Sequence, residues 1–180
     1  VTKPINKTEL LARIRSALRL KRELDWHKER DRRLKEELNL ARQVQEAVLP
    51  DPIESGHIRA SAFFRASKEL AGDLYAWHQI DEHRWAFAVV DAMGHGISSS
   101  LVSMFVASVL KESMRTLWSP ERVLRELNRR VLGLQCDNEL LQYYCTGIYV
   151  SVDLQRGRLE YVNAGHPPGL LFRPGEAEPE

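Results

Sequence analysis

Two aspartates stand where a carboxylate can be held still. Asp73 lies in Ala71-Gly72-Asp73-Leu74-Tyr75, where a strand pattern begins. Asp91 lies in Val89-Val90-Asp91-Ala92-Met93-Gly94-His95-Gly96, between an apolar run and a glycine-rich turn. If their strands are adjacent and antiparallel, the two carboxylates meet within a few ångströms, repel, and push their pKa values apart. A hard divalent cation removes that conflict, because Mg²⁺ and Mn²⁺ prefer carboxylate, carbonyl and water oxygens. Taken singly, either aspartate reads better as a turn former or helix cap. As a pair they leave both readings open. His95 reads as a loop residue at a helix start, His166 as a residue that fixes a corner between Gly165 and Pro167-Pro168, and Arg65 and Lys68 as surface cations.

The framework around this pair can be read from periodicity. Ile58 to Phe64 reads as a strand and Leu74 to Ile80 as a second. Trp85 to Val90 is an unbroken apolar run, the pattern of a strand buried on both faces. Ser98 to Leu117 reads as a helix with Leu101, Met104, Phe105, Val109 and Met114 near one face. Ser119-Pro120 is a start signal, an N-cap followed by Pro at the first helical position, for a helix to about Leu134. That helix turns Val123, Leu124, Leu127 and Val131 inward. Tyr143 to Val152 and Arg158 to Asn163 form a hairpin across Asp153-Leu154-Gln155-Arg156-Gly157. Gly169 to Phe172 begins another strand. Strands, then two helices, then strands argue for an α+β fold.

Ahead of this lies a different kind of segment. From Lys7 to Leu49 there is neither Gly nor Pro, about 43 residues, or roughly 65 Å of helix at 1.5 Å per residue. Leu10, Leu11, Ile14, Ala17, Leu18 and Leu20 make an apolar stripe. Leu24, His27, Asp31, Leu34, Leu38, Ala41, Gln45 and Val48 step by three and four, a heptad seam with polar residues at His27, Asp31 and Gln45. The seam reads either as a single helix packed along its own domain or, as expected here, as a parallel two-helix coiled coil in a homodimer. Residues 1–48 carry 13 Lys and Arg against 8 Asp and Glu, and residues 49–180 carry 13 against 17. The basic residues of the helix alternate with acids and lack interleaved aromatics, so they read as a solvated face and not as a nucleic-acid surface.

Composition bounds the class. The chain of 180 residues is 43% hydrophobic and 28% charged, with a net charge of +1, values ordinary for a globular protein. No run approaches the roughly 18 apolar residues of a membrane span. Two cysteines, Cys136 and Cys145, make no disulfide framework, and no apolar leader precedes the helix, so the cytoplasm is the expected compartment.

Four motifs in order carry a resemblance: Leu-Ala-Arg-Gln-Val-Gln-Glu-Ala-Val-Leu-Pro at 40–50, Ala-Gly-Asp-Leu-Tyr at 71–75, Val-Val-Asp-Ala-Met-Gly-His-Gly at 89–96 and Asn-Ala-Gly-His-Pro-Pro at 163–168. Over residues 38–173 the chain resembles the stage II sporulation protein E-type phosphatase domain, a branch of the PPM metal-dependent Ser/Thr phosphatases. The resemblance implies an αββα sandwich with two Mg²⁺ or Mn²⁺ ions per intact active site. It makes Asp91 the ligand bridging both metals, Asp73 a ligand of one, and the carbonyl of Ala92, where the family usually has Gly, another ligand of that one. Asp73 and Asp91 would carry water attack on phosphoserine or phosphothreonine. The implied substrate is a phosphorylated STAS-domain antagonist of an anti-sigma factor.

Val1-Thr2-Lys3-Pro4-Ile5, with the striped helix after it, resembles the end of a two-component receiver domain, and Lys3 would match its phosphoryl-sensing lysine. The expected organisation is therefore a receiver remnant at 1–20, a helical linker at 21–49 and the phosphatase domain at 50–180, the output of a response regulator. The chain departs from the pattern in places. Ala71 replaces the first Gly of Gly-Gly-Asp. Met93 stands where relatives outside this branch carry a proton-donating His, so His95 receives no acid role. The family's later metal-binding aspartates, one in a Thr/Ser-Asp-Gly motif, would lie after residue 180, and Asp153 cannot replace them. The fragment alone is expected to be incomplete at its C-terminus and inactive. The alternative is a catalytically incomplete dimeric scaffold that binds a partner without turnover.

Overall fold

The computed structural model describes residues 6–66, 69–134, 144–175 and 179. Lys3, Lys68 and Cys136 therefore lie outside the described residues. The chain divides into two compact units, Val1–Ala41 and Arg42–Glu180.

The first unit is helical. Helix α1 runs Lys7–Val48, so its last turns belong to the second unit. Asn6 caps it: the side-chain Oδ1 accepts the backbone N–H groups of Thr8 (3.0 Å) and Glu9 (3.4 Å), two of the donors that a helix start leaves without partners. Ion pairs at helical spacing line it, such as Arg13–Glu9 at 2.6 Å and Arg32–Glu36 at 2.6 Å. Most of its leucines stay in solvent, and Leu18, Leu24 and Leu34 are each 50% exposed, while Leu38 is half-buried.

The second unit holds two sheets. Strands β1 (Ile53–Glu54) and β2 (Arg59–Ala60) form a two-residue antiparallel ladder. The long strand expected over Ile58–Phe64 thus reduces to two residues, since its only partner is equally short. Strands β3 (Asp73–Gln79), β4 (Arg84–Ala92), β5 (Cys145–Asp153) and β6 (Arg158–Ala164) form an antiparallel sheet in chain order. The β3–β4 turn is tied by Asp81, whose Oδ1 accepts the backbone N–H groups of His83 (3.0 Å) and Arg84 (2.9 Å). The expected strand over Gly169–Phe172 is absent; those residues are irregular and pair with nothing among the described residues.

Helices α2 (Ile97–Thr116) and α3 (Pro120–Leu132) cover one face of this sheet. Leu74, Ala86, Ala88, Val90 and Ala92 pack against Val102, Val106, Val109, Leu110, Met114, Val123, Leu127 and Val131. The inward face of α2 differs from the expected one. Leu101 is 65% exposed, and small residues, Ser99 and Ser103, are buried in its stead. Serines let the helix approach the sheet closely while returning their hydroxyls to backbone carbonyls, as Ser99 does to Gly96 at 3.0 Å. Ser119 sits at the N-cap of α3 with Pro120 at N1, but its side chain makes no capping bond. Strand β4 alternates, with Ala86, Ala88, Val90 and Ala92 toward the helices and Phe87, Val89 and Asp91 toward the other face, where Val89 is 44% exposed. The unbroken apolar run is thus not buried on both faces among the described residues.

Candidate metal centre

Asp73 opens β3 and Asp91 is the penultimate residue of β4, and the two are direct partners across the ladder. The next strand continues the row, for Asp91 pairs with Thr146 of β5. Residues opposed in this way share a face of the sheet. Both carboxylates therefore stand side by side on the face away from α2 and α3, at the strand ends that lead into the Gly94–Gly96 loop.

The electrostatics follow from the pairing. The Asp73 carboxyl is raised above the usual aspartate range, first by loss of hydration, then by a hydrogen bond with Asp91 and by that residue's negative charge. The imidazole of His166 pulls in the opposite direction. Two carboxylates this close repel, and a cation between them would relieve that repulsion.

The backbone at the site is crowded in a way that only glycine permits. A Cβ at Gly72 would lie 2.7 Å from the carbonyl oxygen of Ala92. Gly72 and Ala92 are also bonded directly, the Ala92 N–H donating to the Gly72 carbonyl at 3.3 Å. On the far side of Asp91, Gly94 and Gly96 both take a φ of 88°, a left-handed conformation costly for other residues. Two carboxylates brought side by side are the oxygen donors that a hard divalent cation takes. Among the described residues no group of three or more His, Cys, Asp or Glu gathers as a metal site, so the acids present are this pair. Asp153 sits in the β5–β6 turn, where its Oδ1 accepts the Arg156 N–H at 2.9 Å.

Sequence reasoning missed three contributors. His166 does fix a corner, since the Asn163 side chain brackets it: Nδ2 donates to the His166 carbonyl and Oδ1 accepts the His166 N–H, both at 2.8 Å. Its ring also turns to the site, with Nδ1 3.1 Å from Thr146 Oγ1. Thr146 had no motif to mark it; only the strand register places it beside Asp91. Gln45, expected as a polar residue of the coiled-coil seam, is instead buried within its own chain, and its amide bonds to Ala71 beside the aspartate turn.

Comparisons with known proteins meet this geometry. Residues 81–180 match the family described as Stage II sporulation protein E (SpoIIE). The phosphoserine phosphatase RsbP of Bacillus subtilis is 43% identical over 136 residues, covering 76% of this chain and 34% of RsbP. The phosphoserine phosphatase RsbU of the same organism is 25% identical over 140 residues, covering 77% of this chain and 40% of RsbU. The chain thus spans well under half the length of these relatives. The solved SiaA-PP2C domain of Pseudomonas aeruginosa superposes with a TM-score of 0.61 at 18% identity, covering 74% of this chain and 54% of that one. That likeness concerns the fold, a PP2C-like arrangement of which the described residues supply a sheet and the helix layer on one face.

Proposed function

Since the chain belongs to the Stage II sporulation protein E family, we propose that it forms part of a Mg²⁺- or Mn²⁺-dependent phosphatase acting on phosphoserine or phosphothreonine of a cytoplasmic signalling protein. The observation that carries this reading is the opposition of Asp73 and Asp91 on neighbouring strands. The phosphoserine phosphatases RsbP and RsbU support the reaction class. A phosphorylated STAS-domain antagonist of an anti-sigma factor is the substrate that the family resemblance favours.

On this reading Asp91 would hold both cations, and Asp73 with the Ala92 carbonyl would hold one of them. When bound, such ions would supply positive charge for the phosphoryl oxygens and lower the pKa of the attacking water. The chain's own part is to hold two like charges together. It does so with strand pairing and with the close Gly72–Ala92 contact, so the carboxylates need no reorganisation when a dianionic phosphate arrives. The Asn163 bracket and Thr146 hold the His166 ring beside the pair, where it opposes the rise of the Asp73 carboxyl.

Further acids are needed for two ions, and none among the described residues joins the pair. The alternative reading is a scaffold that binds its partner without turnover. The regulatory part of the proposal is that α1 pairs with a second copy in parallel and carries a signal from a receiver domain to the site. Phosphate release from a phosphoserine protein by the full chain, with Mn²⁺ and with excess chelator, separates the readings. Turnover that the chelator abolishes supports the phosphatase, chelator-resistant turnover refutes the metal mechanism, and stoichiometric binding with no release supports the scaffold.

A further inference from the structure

Gln45 is the one buried residue of α1 among those described, at 4% exposure, on a helix otherwise lined with charge and exposed leucine. Its amide nitrogen and its amide oxygen both bond to one residue. Nε2 donates to the Ala71 carbonyl at 2.7 Å and Oε1 accepts the Ala71 N–H at 3.0 Å. Ala71 lies in no strand, so this side chain does for it what a neighbouring strand would otherwise do. Buried backbone groups deprived of such partners are costly to leave unmade.

The two residues after Ala71 give this two-point bond its meaning. Gly72 has no slack toward β4, because even a Cβ there would press on the Ala92 carbonyl. Asp73 then starts β3, and its own carbonyl accepts the Ser103 hydroxyl at 3.4 Å. The segment Ala71–Gly72–Asp73 is therefore held from α1 on one side and from β4 and α2 on the other. The exit of α1 is fastened to the same strand: Trp77 Nε1 donates to the Asp51 carbonyl at 3.0 Å, and the Tyr75 hydroxyl reaches the Pro50 carbonyl at 3.5 Å.

We infer that Gln45 is a positioning residue for the cation site: by clamping Ala71 it fixes where Asp73 and the Ala92 carbonyl stand, and so sets the affinity for the divalent ion. It touches neither the carboxylates nor a substrate. Residues 42–48 of α1 thereby become a lever, since a shift of this last turn must either carry the aspartate turn with it or break both amide bonds. The inference rests on the metal reading above.

The test is Gln45→Met in the full chain, which keeps the buried volume and removes both hydrogen bonds. Two readouts are taken: Mn²⁺ affinity by titration calorimetry and exchange of the Ala71 amide by mass spectrometry or NMR. Expected are an Mn²⁺ dissociation constant raised about tenfold or more and an Ala71 amide that exchanges at least tenfold faster. KM for a phosphoserine substrate should be unchanged and kcat should return at saturating Mn²⁺. Gln45→Asn, which keeps the amide on a shorter arm, should fall between wild type and Gln45→Met and serves in its place should the latter not fold. An unchanged Mn²⁺ affinity in these variants, beside a wild type that binds, overturns this inference alone. So does a kcat that stays low at saturating Mn²⁺ in step with a lowered melting temperature. A wild type that binds no Mn²⁺, or binds it equally well as Asp91→Asn, overturns the metal reading itself.

Discussion

Along residues 7–41 the chain leaves its leucines in water and surrounds them with arginine–glutamate pairs, whereas along residues 73–164 it hides alanines, valines and leucines between a sheet and two helices. Exposed ion pairs at helical spacing add little to stability. Burial of one large aliphatic side chain contributes roughly 1.5–3 kcal/mol. The second unit thus carries its own core, while the first has a seam and nothing among its described residues to cover it. A helix of this kind is suited to transmit a signal, because it is committed to no fixed neighbour within its own unit. A sheet of this kind is suited to chemistry, because strand pairing fixes Asp73 against Asp91.

The largest effect expected of any single change falls at that pair. Asp91→Asn in the full chain should remove turnover almost wholly, several kcal/mol of barrier at ~1.4 kcal/mol per decade. Asp73→Asn should lose less and recover in part as Mn²⁺ is raised, because on the proposed reading it would weaken one site and leave the group shared by both. Phosphate release against Mn²⁺ concentration checks both. Undiminished release by Asp91→Asn would leave the carboxylate pair with a purely structural role.

Next in size is a direct contrast between the regions. Leu110 is fully buried in the helix–sheet core and Leu18 is half exposed on α1. Leu110→Ala should cost about 2–5 kcal/mol in denaturant unfolding of the second unit. Leu18→Ala should leave that transition where it was. Equal losses would mean that the two units unfold as one.

The features legible in the sequence were those with a local period or a local breaker. The length of α1 followed from the lack of Gly and Pro, and β3, β4, α2 and α3 from their apolar spacing. The glycines marked the turns on which the aspartates sit. Features decided by a partner far along the chain were not legible. Ile58–Phe64 has the alternation of a strand but meets only Ile53–Glu54. The inward face of α2 was misjudged because serines, chosen for close approach, outrank Leu101 there. Gln45 has the spacing of a polar seam residue, and nothing near it announces Ala71, 26 positions away. His166 could be placed in its corner from Gly165 and Pro167, but its ring reaches the site only through β5.

A subtler consequence of the carboxylate pair lies at Cys145, which faces Ala92 across the β4–β5 ladder. Burial, with the negative charge of Asp91 added, pushes its thiol up to about 11 from an ordinary 9.0. Thiolate is the reactive form, so at pH 8 alkylation by iodoacetamide should run about a hundredfold slower than at an unperturbed thiol, one decade per pH unit. The rate should climb as pH rises toward 11. Replacing Cys136 by Ser isolates the signal. Asp91→Asn should accelerate the reaction, since it removes the charge that opposes the thiolate. A rate indifferent to Asp91 would leave burial as the whole cause.

The smallest effect on the second unit is expected from changes in α1, and there the contrast between the regions is drawn most finely. Leu34 and Leu38 lie four apart, within the three–four spacing that runs from Leu24 to Val48, and neither contributes to the core of the second unit. Leu34→Glu with Leu38→Glu should therefore leave the melting of the sheet unchanged. If the exposed seam is the contact between two copies, the same pair of charges places like signs face to face across it and turns the dimer into a monomer in sedimentation. Basal turnover should persist in the monomer, because every residue that holds Asp73, from Gln45 to Ser103, lies outside the altered stretch. What should vanish is any response of turnover to a phosphoryl mimic on an attached receiver domain, which needs a two-state element biased from outside. An unaltered protein that already sediments as a monomer at micromolar concentration would break the coiled-coil reading. It would leave the leucines of α1 for a partner of another kind.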